Sequence, residues 1–575
     1  MANNPIGDPA SAGRVSRCRA NLRRIAFLLV VVLIFCDARA AGAQPVFPLH
    51  TSGRFIVDSN GARVRLNGVN WYGTESPDYV VAGLQAASLQ SIVQQIKSLG
   101  FNVVRMPWSN QVYESNPVVA NYALAANPGL EGEHALTILD QVIAALTNAG
   151  IMVILDNHNS NAGWCCSTTD GNTLWYNSDY PQSSWIADWQ GMAKRYAANP
   201  LVIGADLRNE PRGTASWGGS AGTDWHAAAE LGGNAVLGVN PHLLIFVEGI
   251  SYALDLSGAQ NLPVQLNFPN QLVYEAHNYS FDYSKLSGYS DYLGRITPKW
   301  GYLVTGSNPQ PLWIGEFGTC NTSDSCIDSN SSSDGGYWFN MVTAFVQQYG
   351  LDWTYWPLNG THATGGGSAY GATETYGVLN ATWNGTSNAA LTTRLQSILS
   401  GAPPGITLVG NGSALAIAPG NTGAAQVELV PGNGFTGTVN LTCSVSGPSG
   451  AASLPTCSVP PSQAISAADA VTFTVSISTT AAMAKGAANG GFRAAGTGTI
   501  FACLLLLFGS LGRRSRNLLP MLLATAILLP LLACGGGSGG GASNAGTTAG
   551  AYTATVNASG TGGATSSLQI AVNVQ

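Results

Sequence analysis

From about residue 46 to residue 400, short apolar runs alternate with stretches whose apolar positions recur at helical spacing. Eight runs read as strands: 63–71, 102–107, 152–157, 202–207, 243–247, 272–277, 312–315 and 352–356. Between them, 88–99, 134–149, 183–198, 224–237 and 335–348 carry the amphipathic pattern of helices. Such alternation calls for a parallel sheet, and eight units in one span predict a closed (β/α)8 TIM barrel whose site lies at the carboxyl ends of the strands. The alternative is an open doubly wound sheet, but no glycine-rich phosphate loop follows the first strand.

After Gly401 the pattern changes to strand-like alternation over 405–417, 425–430, 437–445 and 470–478, which predicts a small all-β, immunoglobulin-like sandwich. Two apolar stretches follow, 499–511 and 518–533, split by Arg513, Arg514 and Arg516. Each is shorter than the ~20 residues that comfortably span a bilayer. One reading is an apolar hairpin with its arginines in the cytoplasm, attaching the protein to a membrane through 499–533. Another is a lipoprotein-like signal ending at Cys534, and a third a buried apolar hairpin or a fusion remnant. Two further alternating runs, 552–558 and 566–574, are expected to complete the sandwich. At the other end, Arg14, Arg17, Arg19, Arg23 and Arg24 precede the apolar run 25–35 and small residues at 38–43, the pattern of an export signal. An uncleaved anchor is the alternative there. The expected division is a signal peptide at 1–43, a barrel at 44–400, a sandwich at 401–480, an apolar hairpin and linker at 481–550, and sandwich strands at 551–575. The protein is then exported, either secreted or held at the cell surface, and monomeric.

Composition narrows the partner. Charged residues make up 9% of the 575, against about 25% in ordinary globular chains. A net charge of −6 leaves no basic footprint for nucleic acid, and a surface of Gly, Ser, Thr and Asn suits a neutral, hydroxyl-rich ligand. Export permits disulfides: Cys320 with Cys326 and Cys443 with Cys457 are the expected pairs. Cys165 and Cys166 are adjacent and left unassigned, while Cys18, Cys36 and Cys503 fall in targeting or apolar segments. No His and Cys spacing suits zinc, so neither metal nor cofactor is expected.

The chemistry rests on two glutamates. Glu210 closes LVIGADLRNEPRG at the fourth strand, and Glu316 closes the seventh in PLWIGEFGTC. In a barrel these ends face each other across the mouth, so two carboxyls can stand about 5 Å apart. Cleaving a glycosidic bond needs one protonated carboxyl to help the leaving oxygen and one ionised carboxylate to attack the anomeric carbon. Taken singly, Glu210 reads equally as a helix cap and Glu316 as an arginine partner. Other strand ends supply the company that decides between these readings. Arg105 would hold Glu316 ionised, Tyr279 would donate to the same carboxylate, and Asn209 would grip a sugar hydroxyl. His158 and His277 fit substrate hydroxyls, and Trp356 offers a flat face to a pyranose ring. Trp71, Trp108, Trp164, Trp175 and Trp217 fall in strand-end loops and are candidates for a cleft lining, whereas Trp185 and Trp189 at helical spacing read as core. Asp206 and Glu248 lie on strands and weigh less as catalytic groups, Glu248 being a neighbour of the site or a sugar contact. His134, His226 and His242 read as structural.

The motifs RMPWS, NHN, RNEP, AHNY, GEFG and the tryptophan of WTYWPLNG, each at its own strand, resemble glycoside hydrolase family 5, the cellulase family of clan A, over about residues 46–400. HTSGRFIVDSNGARVRLNGVNWYG and SWIADWQGMAKRYAANP are similar to bacterial endoglucanases of that family. The resemblance implies Glu210 as acid/base, Glu316 as nucleophile, and retention through a glycosyl-enzyme. It implies an endo-β-1,4-glucanase acting on a β-linked polysaccharide or oligosaccharide. The alternatives are a β-mannanase or other β-glycanase on the same barrel, or a carbohydrate-binding surface protein without turnover. The third-strand loop, NHNSNAGWCCSTTDGNTLWYNSDY, departs from the family in its Trp and Cys content, so no linkage preference carries over through it. The sandwich lacks an aromatic strip and suits a spacer or adhesion role.

Overall fold

The computed structural model describes Met1, residues 44–482 and residues 545–575. The expected signal peptide at 1–43, the apolar stretches 499–511 and 518–533, and Cys18, Cys36, Cys503 and Cys534 lie outside the described residues. Among the described residues no helix is long and apolar enough to cross a membrane.

A short antiparallel hairpin, β1 (His50–Ser52) and β2 (Phe55–Val57), opens the fold. Eight parallel strands follow and close on themselves: β3 (Asn67–Asn70), β4 (Val103–Ser109), β5 (Met152–Asn159), β6 (Val202–Asp206), β7 (Leu244–Glu248), β8 (Leu272–Asn278), β9 (Leu312–Phe317) and β10 (Asp352–Tyr355). All eight fall where apolar runs predict them. The first is shorter than expected, because Arg63 forms only an isolated bridge to Val57. Leu49 and Ile56 of the hairpin pack with Val103, Met152 and Leu244, residues at the amino ends of the strands, and so plug the bottom of the barrel. The opposite end is left for chemistry.

Helices Leu89–Ser98, Ala135–Asn148, Gln182–Arg195, Trp225–Leu237 and Gly335–Tyr349 lie at the predicted places. Ser88 and Asp224 cap two of them by accepting the amides of Ser91 and Ala227. Helices Asn110–Ser115, Tyr289–Ile296 and Ala389–Ser397 carry too few periodic positions to be read from the pattern alone. Two glycines set the strand packing. A side chain at Gly68 would meet the Val103 carbonyl oxygen at 1.8 Å, and one at Gly315 would meet Glu275 Oε1 at 1.7 Å. Gly315 thereby leaves room for a buried carboxyl inside the barrel.

After the barrel come β11 (Gly405–Val409), β12 (Leu415–Ile417), β13 (Thr422–Gly432), β14 (Gly437–Ser446), β15 (Thr456–Ser458), β16 (Ser462–Ile465), β17 (Val471–Ser478), β18 (Gly550–Ser559) and β19 (Thr565–Val574). They form sheets of order β11-β13-β17-β15 and β12-β19-β18-β14-β16. β18 pairs antiparallel with β14 from Asn440 opposite Ser559 to Ser446 opposite Thr553, so the last strands sit in the middle of the second sheet. Val427, Val439, Val475 and Val556 share one core between the sheets. The sandwich docks on the barrel through Glu428, which accepts the backbone amides of Tyr289 and Ser290 at the start of a barrel helix. Cys320 pairs with Cys326, and Cys443 with Cys457. Cys165 and Cys166, left unassigned above, pair with each other.

Candidate active site

Arg105 lies within β4, fully buried, and organises the groups around it. Its Nη1 donates to Glu316 Oε1 at 2.8 Å and Asn70 Oδ1 at 3.1 Å. Its Nη2 reaches Asp206 Oδ2 at 2.6 Å, Asn209 Oδ1 at 2.9 Å and Glu248 Oε1 at 3.1 Å, and Nε donates to Asp206 at 2.9 Å. A buried guanidinium is stable only with such a set of acceptors. The Tyr279 hydroxyl donates to the other oxygen of Glu316 at 2.9 Å. Both supports expected for Glu316 are therefore present.

Glu210 follows β6 in a left-handed conformation, φ 48°, which costs a non-glycine residue about 1 kcal/mol or more. Two bonds hold it there. Glu248 Oε2 accepts the Glu210 amide at 2.6 Å, and Arg212 Nη1 donates to the Glu210 carbonyl at 3.0 Å. Glu248 thus acts as a support beneath the site, and Asp206 as a counter-charge to Arg105. His277 Nδ1 lies 2.9 Å from Glu210 Oε1 and 3.6 Å from Glu316 Oε2. Glu210, His277 and Glu316 each present one atom within 4.8 Å of the other two. The same spacing would admit a metal ion, but the Arg105 guanidinium already supplies the positive charge against Glu316.

Burial governs the protonation states. It raises the Glu210 carboxyl above its usual range, against the opposing pull of Arg212, His158 and Arg105. It also depresses His158 and His277 to about 3, so both imidazoles are neutral at ordinary pH. Glu248 and Glu275 are pushed well above the carboxylate range by burial and by the neighbouring Asp206 carboxyl. The mouth thus contains a carboxyl poised to carry a proton next to one bonded to a cation.

These groups open onto a cleft of about 640 Å³. His158, Asn209, Tyr279, Trp356 and Trp164 line it beside the two glutamates. Trp356 stacks on His158 and on Tyr72, with ring centroids 5.5 and 5.2 Å apart. Other expectations are corrected. His277 is fully buried and is not among the lining residues; a register shift between Ala276 and His277 sets it opposite Glu316, where it contacts the carboxyls of Glu210 and Glu316. Trp71, Trp108 and Trp175 are fully buried in the core. Trp71 donates to the Ala82 carbonyl and Trp108 packs edge-on against Trp189 at 5.1 Å. Trp217 is half-buried away from the cleft, bonded to the Leu262 carbonyl.

Several lining residues are absent from the sequence-based set: Glu75, Tyr252, Phe281, Asp282, His362, Glu374 and the paired Cys165 and Cys166. Tyr252 is delivered by a left-handed turn through Ser251 and Ala253. Phe281 is exposed and stacks on Tyr279 at 5.1 Å, forming a lip. At the other end, Glu374 Oε2 accepts from the Tyr72 hydroxyl at 2.6 Å, with His362 at 3.4 Å. The cleft therefore runs from the loops after β7 and β8, past the glutamates, to the loops after β3 and β10.

Residues 57–362 match the family model described as Cellulase (glycosyl hydrolase family 5). An endoglucanase of Paenibacillus polymyxa is 39% identical over 336 residues, covering 55% of this chain and 81% of the relative. A major extracellular endoglucanase of Xanthomonas campestris pv. campestris is 33% identical over 358 residues, covering 59% and 71%. Among solved structures, the catalytic domain of the major endoglucanase of that Xanthomonas aligns with a TM-score of 0.52 at 30% identity, covering 61% of this chain and 99% of its own. An endocellulase from Pyrococcus horikoshii, in a complex with cellotetraose, aligns with a TM-score of 0.52 at 27% identity, covering 62% and 100%.

Proposed function

The chain belongs to the cellulase family, glycosyl hydrolase family 5, and is a glycoside hydrolase; from that premise we propose that it is a retaining endo-β-1,4-glucanase whose catalytic unit is residues 44–400. The observation that carries this reading is the pair of glutamates, with carboxyl oxygens within 4.8 Å across the barrel mouth and in unlike surroundings. Such a separation suits direct attack by one carboxylate and leaves no room for the water that an inverting enzyme places between its two.

In this reading Glu210, whose carboxyl is shifted upward by burial, donates a proton to the glycosidic oxygen as the bond breaks. Glu316, held by Arg105 and Tyr279, attacks the anomeric carbon from the opposite side. The leaving sugar departs, water enters, and Glu210, now a carboxylate, takes the water's proton as the glycosyl-enzyme is hydrolysed. His277 positions Glu210 and stays neutral throughout. Trp356 and Trp164 form an aromatic wall for a sugar ring on one side, and Tyr252 and the exposed Phe281 form a platform on the other. An open cleft with aromatic surfaces on both sides of the glutamates fits cleavage within a chain. Export of the protein fits the extracellular Xanthomonas relative.

The test compares hydrolysis of carboxymethylcellulose with that of mannan, using Glu316→Gln as the control. Turnover of the cellulosic substrate, lost in Glu316→Gln with folding intact, supports the proposal. Preference for mannan would replace it with a mannanase, and full activity of Glu316→Gln would remove the nucleophile assignment.

A further inference from the structure

The Cys165–Cys166 disulfide lies in the cleft wall, half-buried, and touches the consecutive residues Asn209 and Glu210. Asn209 Nδ2 is 3.3 Å from Cys165 Sγ and 3.6 Å from Cys166 Sγ, while Asn209 Oδ1 accepts from Arg105 Nη2 at 2.9 Å. The amide is thereby clamped between the guanidinium and the disulfide, and its orientation is fixed by having a donor on one side and two weak acceptors on the other. Cys165 Sγ also stands 3.9 Å from Glu210 Oε2, covering one side of that carboxyl with sulfur instead of water. The chain's other two described disulfides, Cys320–Cys326 and Cys443–Cys457, are not among the residues lining this cleft.

We infer that the Cys165–Cys166 disulfide is a redox-sensitive positioning element, which in its oxidised form orients Asn209 and shields Glu210 and in its reduced form releases both. The inference rests on Glu210 acting as the acid/base. A phosphine in water cleaves the S–S bond with transfer of two electrons: two thiols form and the phosphine becomes its oxide. The two sulfurs then separate, the Asn209 amide loses its paired acceptors, and water reaches Glu210. Glu210 also faces Arg212, His277 and the Glu248 carboxyl at its backbone, with His158, Arg105, Asp156, Asp170, Tyr279, Asp282 and Glu316 around it. Reduction of the S–S bond changes the charge of none of these groups. Burial is the leading cause holding the Glu210 proton, so hydration lets that proton leave at lower pH.

The experiment uses the full chain in four forms: untreated, phosphine-reduced, Cys165→Ala/Cys166→Ala, and Glu210→Gln. Reduction is expected to lower kcat about tenfold with KM changed by less than about twofold, the effect of a small misplacement of catalytic groups. The alkaline limb of the kcat profile should move to lower pH, and reoxidation should restore both. The double alanine variant should show the same kcat and the same limb, and should not respond to phosphine. Unchanged kcat and pH profile on reduction would overturn the inference, as would a phosphine response that persists in the double variant. If the double variant fails to fold, the reversible response of the natural chain remains the test. Full activity of Glu210→Gln would overturn the acid/base reading itself, whereas an inactive Glu210→Gln beside an unresponsive disulfide would remove only the disulfide's role.

Discussion

Replacing Arg105 by lysine keeps a positive charge in the barrel mouth and removes the planar fork, so it separates charge from geometry. The guanidinium makes six hydrogen bonds, to Asp206 twice and to Asn70, Asn209, Glu248 and Glu316 once each. An ammonium has three donors, so at least half of these are lost. Charged hydrogen bonds contribute about 1.5–3 kcal/mol each, and uncompensated buried carboxylates add their own cost, so Arg105→Lys should destabilise the chain by about 3–5 kcal/mol. Loss of the bond to Glu316 alone should lower kcat by about ten- to a hundredfold. The assay is hydrolysis of an aryl cellobioside beside urea unfolding of the same preparation. Tyr279→Phe is the companion: it removes the other bond to Glu316 without disturbing a buried charge, and should lower kcat about tenfold with stability changed by less than about 1.5 kcal/mol. Wild-type kcat in both variants would refute the claim that these two groups hold the nucleophile.

Other consequences follow from the same structure. Burial raises Glu75 from 4.5 to about 8. Its contribution to stability is therefore full below its unfolded value and lost as pH rises through the folded one, so Glu75→Gln should flatten the fall in urea midpoint over that window; an unchanged slope would contradict the assignment. Trp356→Ala should lower kcat/KM about tenfold by removing a stacking face, whereas Trp108→Ala should leave KM nearly unchanged and destabilise the core by about 3–5 kcal/mol. The reverse pattern, read by kinetics and thermal melting, would return Trp108 to the cleft.

Eight strands could be read from the sequence because a parallel barrel buries both faces of each strand and leaves an apolar run at every one. The same geometry explains why His158, Asn209, Glu210, Tyr279, Glu316 and Trp356 meet: all lie at or just beyond carboxyl ends, which share one mouth, while Arg105 reaches them from within β4. Strand position does not fix side-chain direction once the chain leaves the barrel. Trp71, Trp108 and Trp175 are fully buried in the core, although in the sequence they stand near strand ends as Trp356 does. The burial of His277 beneath the cleft is not legible for a related reason, since the register shift before it depends on pairing with β9 and leaves no mark in the local pattern. Glu374 and His362 come from a long, aperiodic loop after β10, which only the folded chain brings back to Tyr72. The Cys165–Cys166 pair was visible as two letters, but its place against Asn209 was not.

The central claim is that Glu316 forms a covalent bond to the sugar while Glu210 handles the proton. It is tested most directly by incubating the enzyme with a 2-deoxy-2-fluoro cellobioside bearing an activated leaving group and mapping the adduct by peptide mass spectrometry. Time-dependent inactivation with one fluorocellobiosyl group on the peptide containing Glu316 is expected. An adduct on another residue, or turnover to product of inverted configuration with no adduct, would contradict it.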